Sequence, residues 1–185
     1  MSLRVSAGLL MYRFCGSELE VFLAHPGGPH TAGKDDGYWT IPKGGQKRNE
    51  TLLEAAKREF KEEVGIQPQG PYLELGSIRQ KGGKVVHAWA FEGRWDDSQP
   101  IRSNTFEMAW PPYSGRIQEF PEVDRAAFFD LAAGRRKLKE SQCPLLDRLE
   151  ALLGLRPSGG SQSDVPLQAG VMQARPPKLA SFTHD

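Results

Sequence analysis

Apolar positions near the start of the chain come in short β-type runs, give way to a helical period, and then return to strand-like spacing. Val5-Ser-Ala-Gly-Leu-Leu-Met-Tyr-Arg-Phe reads as a strand, and Leu19-Glu-Val-Phe-Leu-Ala-His as a second, with Gly16-Ser17 turning between them. His25 to Gly37 is a long loop rich in glycine and proline, and loops of that length in a compact domain are often functional. Tyr38 to Ile41 reads as a short strand, and Gly44-Gly45 as the turn after it. From Thr51 to Val64 the chain has neither Gly nor Pro, and Leu53, Ala56, Phe60 and Val64 form one stripe at about 100° per residue. Asn49 or Thr51 can cap this helix, and Gly65 suits the left-handed residue that ends it. Tyr72–Gln80 and Lys84–Phe91 are strand-like around Lys81-Gly82-Gly83. Phe106–Trp110 and Ala126–Phe129 are further short strands, and Asp130–Glu140 and Cys143–Leu153 are helices. Strands, a helix, more strands and then helices predict an α/β fold. Residues 1–155 form the expected domain, and 156–185, rich in Pro, Gly and Ser, an expected flexible tail.

The predicted helix carries an unusual charge pattern. Glu59, Glu62 and Glu63 stand at i, i+3 and i+4, on a stripe beside the apolar one. Carboxylates one turn apart repel each other, so the arrangement is unfavourable by itself. It makes sense around a hard divalent cation, and carboxylate oxygens suit Mg²⁺ or Mn²⁺. Such an ion polarises phosphoryl oxygens, and a spare carboxylate takes a proton from water. The plainer alternative is a solvated charged face.

The surrounding residues extend the pattern. Gly44, Glu50, Arg58, Glu59, Phe60, Glu62, Glu63, Gly65 and Ile66 fill every fixed position of G-x5-E-x7-R-E-U-x-E-E-x-G-U, where U is apolar. This stretch resembles the Nudix box. The resemblance implies a Nudix hydrolase, with a mixed sheet between helices, that cleaves a phosphoanhydride of a nucleoside diphosphate-linked compound. It implies Glu59, Glu62 and Glu63 as metal ligands, Glu62 and Glu63 as candidate catalytic bases, and the Gly44 carbonyl as a further ligand. Glu50 and Arg58 are expected to form a supporting ion pair. The run Trp39-Thr-Ile-Pro-Lys-Gly44 resembles the entry to the box in the diadenosine tetraphosphate hydrolase branch. A nucleoside polyphosphate, such as a dinucleoside tetraphosphate or a nucleoside triphosphate, is therefore the expected substrate class. Gly45 and Asn49 depart from that branch, which has His and Gly there. The alternatives are a nucleotide-sensing module without catalysis and an RNA 5′-end pyrophosphohydrolase.

Outside the box, Glu122 resembles the downstream glutamate of polyphosphate-cleaving branches and is the third catalytic candidate, with Glu119 in reserve. Lys43, Lys84 and Arg79 are candidate phosphate contacts. Trp39, Phe106 and Trp110 are candidate base-stacking rings, with core packing as the alternative for each. His87, in an apolar strand, is read as a packing residue. A net charge of +1 offers no basic face for duplex nucleic acid. Cys15 and Cys143 are the only cysteines, which fits free thiols and a cytoplasmic protein, and no apolar run is long enough to span a membrane. Either a monomer or a homodimer is compatible with these features.

Overall fold

The computed structural model describes residues 5–96 and 98–155. The expected tail, 156–185, lies outside the described residues. Strands β1 (Val5–Cys15), β2 (Glu18–Pro26) and β3 (Lys43–Gly45) precede helix α1 (Leu52–Val64). Strands β4 (Leu73–Arg79), β5 (Val85–Glu92), β6 (Thr105–Ala109), β7 (Ile117–Pro121) and β8 (Val123–Asp130) follow, then helices α2 (Leu131–Lys137) and α3 (Pro144–Leu152). The main sheet runs β4-β5-β1-β2-β8, with β3 also paired to β1. β1 and β5 are parallel and the other pairs antiparallel, so the sheet is mixed.

β1 is central and buried on both faces, which is why its sequence is an almost unbroken apolar run. Ala7, Leu9 and Met11 meet Phe60 and Val64 of α1. Leu10 and Tyr12 share the other core with Leu145, Leu146 and Leu149 of α3. The sheet thus lies between helices, as the resemblance implies.

α1 is fixed at both ends. Thr51 is the cap, and Glu54 completes a capping box with it. Gly65 closes the helix at φ 76°, a left-handed conformation that costs glycine nothing. Phe60 is fully buried against Phe22 and Phe91. This anchor sets which edge of α1 faces outward.

Four local expectations are corrected. Tyr38–Ile41 is no strand but makes two isolated bridges, Ala24 to Thr40 and Trp39 to Leu138. Gly44-Gly45 is the end of β3 rather than a turn. Asp130–Glu140 breaks after Lys137 into a separate 3₁₀ turn, Glu140–Gln142. Strand β7, absent from the sequence reading, pairs with β6 in a hairpin off the main sheet.

Candidate active site

Glu59, Glu62 and Glu63 lie along the outward edge of α1, where β3 passes beside it. Antiparallel pairing places Gly44 opposite Ala7 and therefore on the α1 side of the sheet. There the Glu59 carboxylate lies directly against Gly44: a Cβ on that glycine would fall 2.0 Å from the carboxylate carbon. Glu63 reaches the other side of Gly44 and accepts the Lys43 amide hydrogen at 3.1 Å.

Arg58 braces the group. It donates to both Glu50 oxygens at 3.1 and 2.8 Å, and to the Gly45 carbonyl at 2.9 Å. It also reaches Glu59 at 2.7 Å and Glu62 at 2.9 Å, beyond the single partner that the sequence suggests. Glu50 additionally accepts the Lys47 amide, and together these donors hold its carboxyl down at about 2. The same carboxylates raise the Arg58 guanidinium further above its ordinary value.

Glu122 arrives from the β7–β8 junction by a backbone relay. The Asn104 amide donates to the Glu62 carbonyl at 3.0 Å, and the Glu122 amide donates to the Asn104 carbonyl at 2.8 Å. Ser103 Oγ supports the relay by accepting the Val123 amide hydrogen at 2.9 Å. Asn104 acts through its backbone and Ser103 through a hydroxyl contact in the same turn, which no residue pattern in the sequence signals. Burial raises the Glu122 carboxyl, and Glu59 and Glu62 push it further. Glu63 is pushed up to about 7, first by burial and then by Glu59 and Glu122, against the pull of Lys43. Glu122 thus stands in the field of Glu59 and Glu62, and Glu63 in that of Glu59 and Glu122.

This donor set fits a hard divalent cation: it is all oxygen, rich in negative charge, and open to a backbone carbonyl because position 44 carries no side chain. The side chains do not enclose an ion as they stand: among the described residues, no group of three or more His, Cys, Asp or Glu converges into a metal cage. Glu59 and Glu62 turn to Arg58, and Glu63 turns to the Lys43 amide.

The other candidates separate. The Lys43 side chain lines a cavity of about 630 Å³ together with Tyr38, Gln80, Lys81 and Lys139. Lys84 lies close enough to Lys43 and Lys139 for the ammonium groups to repel. Arg79 is exposed at the end of the edge strand β4, and among the described residues it joins neither the carboxylates nor this cavity. Trp39 is not a stacking platform. It is 4% exposed, its ring meets His25 and Phe129, and its Nε1 donates to Asp35 at 2.7 Å. Phe106 is half-buried over Gly28, and Trp110 packs on His30. Glu119 accepts the Thr105 hydroxyl on the β6–β7 hairpin and is not part of the carboxylate group. His87 is half-buried in β5. No helix among the described residues is long and apolar enough to cross a membrane.

Comparison with known proteins agrees with this geometry. The NUDIX domain family model matches residues 2–149. No curated protein matches the chain. Among solved structures, a C. elegans Ap4A hydrolase in a binary complex has a TM-score of 0.57 at 21% identity, covering 80% of this chain and 98% of that one. The NUDIX domain of Shewanella oneidensis NrtR, solved with ADP ribose, has a TM-score of 0.58 at 15% identity, covering 83% and 90%. The C-terminal domain of mouse MUTYH, solved with human PCNA, has a TM-score of 0.54 at 9% identity, covering 86% and 95%. These likenesses concern the fold. The family match spans most of the chain and takes in the complete carboxylate pattern, so the protein belongs to the NUDIX domain family and is a Nudix hydrolase.

Proposed function

We propose that the chain is a divalent-metal-dependent pyrophosphohydrolase whose substrate is a nucleoside polyphosphate. The observation that carries this reading is the acidic edge of α1 beside β3, with the Glu59 carboxylate against Gly44, Glu63 on the Lys43 amide, and Glu122 in the field of Glu59 and Glu62. Glu59, Glu62 and Glu63, with the Gly44 carbonyl, would hold Mg²⁺ or Mn²⁺, which supplies charge neutralisation at phosphoryl oxygens and activation of water. Arg58 and Glu50 fix the helix edge against the β3 loop, and Glu59 and Glu62 would turn from Arg58 toward a bound ion.

Glu63 and Glu122 are the two proton acceptors that the geometry favours. A carboxylate whose affinity for protons is raised toward neutrality is a better base than an ordinary one. Water attacks one phosphorus, the bridging P–O bond breaks, and the proton passes to one of these glutamates. Lys43 and Lys84 serve the phosphates as point charges. The polyphosphate preference draws support from the Ap4A hydrolase among the structural neighbours and from the lysines that line the cavity entered by Lys43. Two free cysteines accord with a cytoplasmic setting.

The test is a substrate panel of nucleoside triphosphates, dinucleoside tetraphosphates and ADP-ribose with Mg²⁺ or Mn²⁺, with products identified by mass. Turnover of a polyphosphate that EDTA abolishes and Glu62→Gln suppresses is expected. Nucleotide binding without turnover across the panel overturns the reading.

A further inference from the structure

The cavity beside the carboxylate edge has a chemistry that the box does not explain. Its wall is built from three separate segments: Thr31, Gly37 and Tyr38 from the loop after β2, Gln80 and Lys81 from the β4–β5 turn, and Lys139 to Ser141 after α2. Lys43 enters from β3. Register explains why it points there. Lys43 pairs with Gly8, so its side chain falls on the face opposite α1. Lys84 precedes β5 by one residue, and by the same alternation it shares the face of Val86 and Ala88.

Lysines outnumber acids around the cavity: Lys43, Lys81 and Lys139 line it with Asp36 and Glu140, and Lys84 lies within the field of Lys139. Among the described residues, none of Lys81, Lys84 and Lys139 makes an ion pair. Asp36, on the rim, is already held by Lys137 at 2.8 Å, which leaves Glu140 as the other acidic group of the lining. Lys139 is half-buried, and burial together with Lys84 lowers its ammonium below the usual value. Gathering lysines without partners is unfavourable for folding alone. The Lys139 backbone is fixed all the same, because its amide donates to the Trp39 carbonyl at 2.9 Å.

We propose that Lys139, with Lys81 and Lys84, forms an anion subsite that receives the phosphate groups of the substrate lying beyond the scissile bond. The cavity and the catalytic edge meet at one residue, Lys43, whose amide donates to Glu63 while the residue itself lines the cavity. A substrate that engages both sites carries phosphate beyond the bond that is cut, so a triphosphate or longer chain suits the pair better than a diphosphate that ends in a neutral sugar. This assignment rests on the pyrophosphohydrolase reading and narrows its substrate class.

The experiment separates the two. Binding of inorganic tripolyphosphate is measured by calorimetry in EDTA, for the wild type, Lys139→Gln and Lys139→Arg. Loss of one charge-assisted phosphate contact predicts about tenfold weaker binding for Lys139→Gln, with most of it restored in Lys139→Arg. In turnover, KM for a nucleoside tetraphosphate should rise about tenfold in Lys139→Gln, well beyond any change in kcat or in KM for ADP-ribose. Tripolyphosphate binding that is the same in the wild type and Lys139→Gln overturns the subsite, even if the wild type is an active hydrolase. Lys139-dependent binding in a protein that hydrolyses no nucleotide upholds the subsite and removes the enzymatic reading.

Discussion

Adding one methyl group at Gly44 should separate catalysis from stability. The Cβ of Gly44→Ala would stand 2.0 Å from the Glu59 carboxylate carbon and 2.1 and 2.4 Å from its oxygens. Carbon atoms in ordinary contact sit roughly 3.5–4.0 Å apart, so the carboxylate has to move by more than about 1 Å. Misplacing a reacting or ligating group by that distance costs about 10²-fold in rate. The backbone does not resist the change: Gly44 is not among the residues with positive φ, and alanine fits β3. Gly45→Ala is the internal control, since its Cβ would meet nothing within 4 Å. The assay is kcat/KM at saturating Mg²⁺ beside thermal unfolding of all three proteins. Gly44→Ala should lose about two orders of magnitude in activity while its Tm stays within about 4 °C of the wild type. Activity within threefold of Gly45→Ala would refute the contact between Gly44 and Glu59 as a catalytic requirement.

Other perturbations probe the supports. Phe60→Ala deletes the fully buried anchor of α1 and should cost about 3–5 kcal/mol in urea unfolding, with activity falling as the folded fraction falls. Glu122→Gln should lower kcat about 10²-fold or more while Glu119→Gln changes it far less, because only Glu122 stands in the field of Glu59 and Glu62. Equal losses in the two variants would remove Glu122 from the site. The pH dependence of stability, measured in EDTA, should show two opposite contributions. Glu50 is held below its ordinary 4.5, at about 2, so its contribution is present above pH 4.5 and is lost as pH falls toward 2; Glu50→Gln should lack that loss. Glu63 is raised from 4.5 to about 7, so its contribution is full below pH 4.5 and is lost as pH rises through 7; Glu63→Gln should flatten that fall. A wild-type profile without the second slope would mean that Glu63 is not buried as described.

What was legible in the sequence was what local forces decide. α1 carries its own stripe, cap and terminating glycine, and its charged edge follows from those alone. β1 and β2 have enough apolar content to be strands in any context. Trp39 was open to two readings because a tryptophan beside a loop suits a base as well as a core. Its burial is set by Phe129 and His25, which are remote or neutral in the local pattern. β7 was hidden because it is short, mostly exposed and ends in proline, and only its pairing with β6 makes it a strand. Lys139 gave no signal, since its meaning comes from residues more than fifty positions earlier: Lys81, which shares the cavity wall, and Lys84, which lies within its field.

The same reasoning makes β3, a strand of three residues with two glycines, the point on which the site turns. Glycine is a poor strand former, so β3 is held by its neighbours rather than by propensity. A Cβ at Gly8 would meet the Lys43 Cβ at 2.6 Å and the Pro42 carbonyl at 2.7 Å, so the close approach of β1 and β3 requires glycine there. That approach fixes register, and register assigns each residue of β3 a face. Lys43 goes to the cationic cavity while its amide holds Glu63. Gly44 goes to Glu59, and the Gly45 carbonyl goes to Arg58. A slip of one residue would send the lysine toward the glutamates and a bare glycine toward the cavity. The acidic edge and the basic cavity are therefore one construction, joined through three consecutive backbone units whose own side chains, apart from one lysine, are absent.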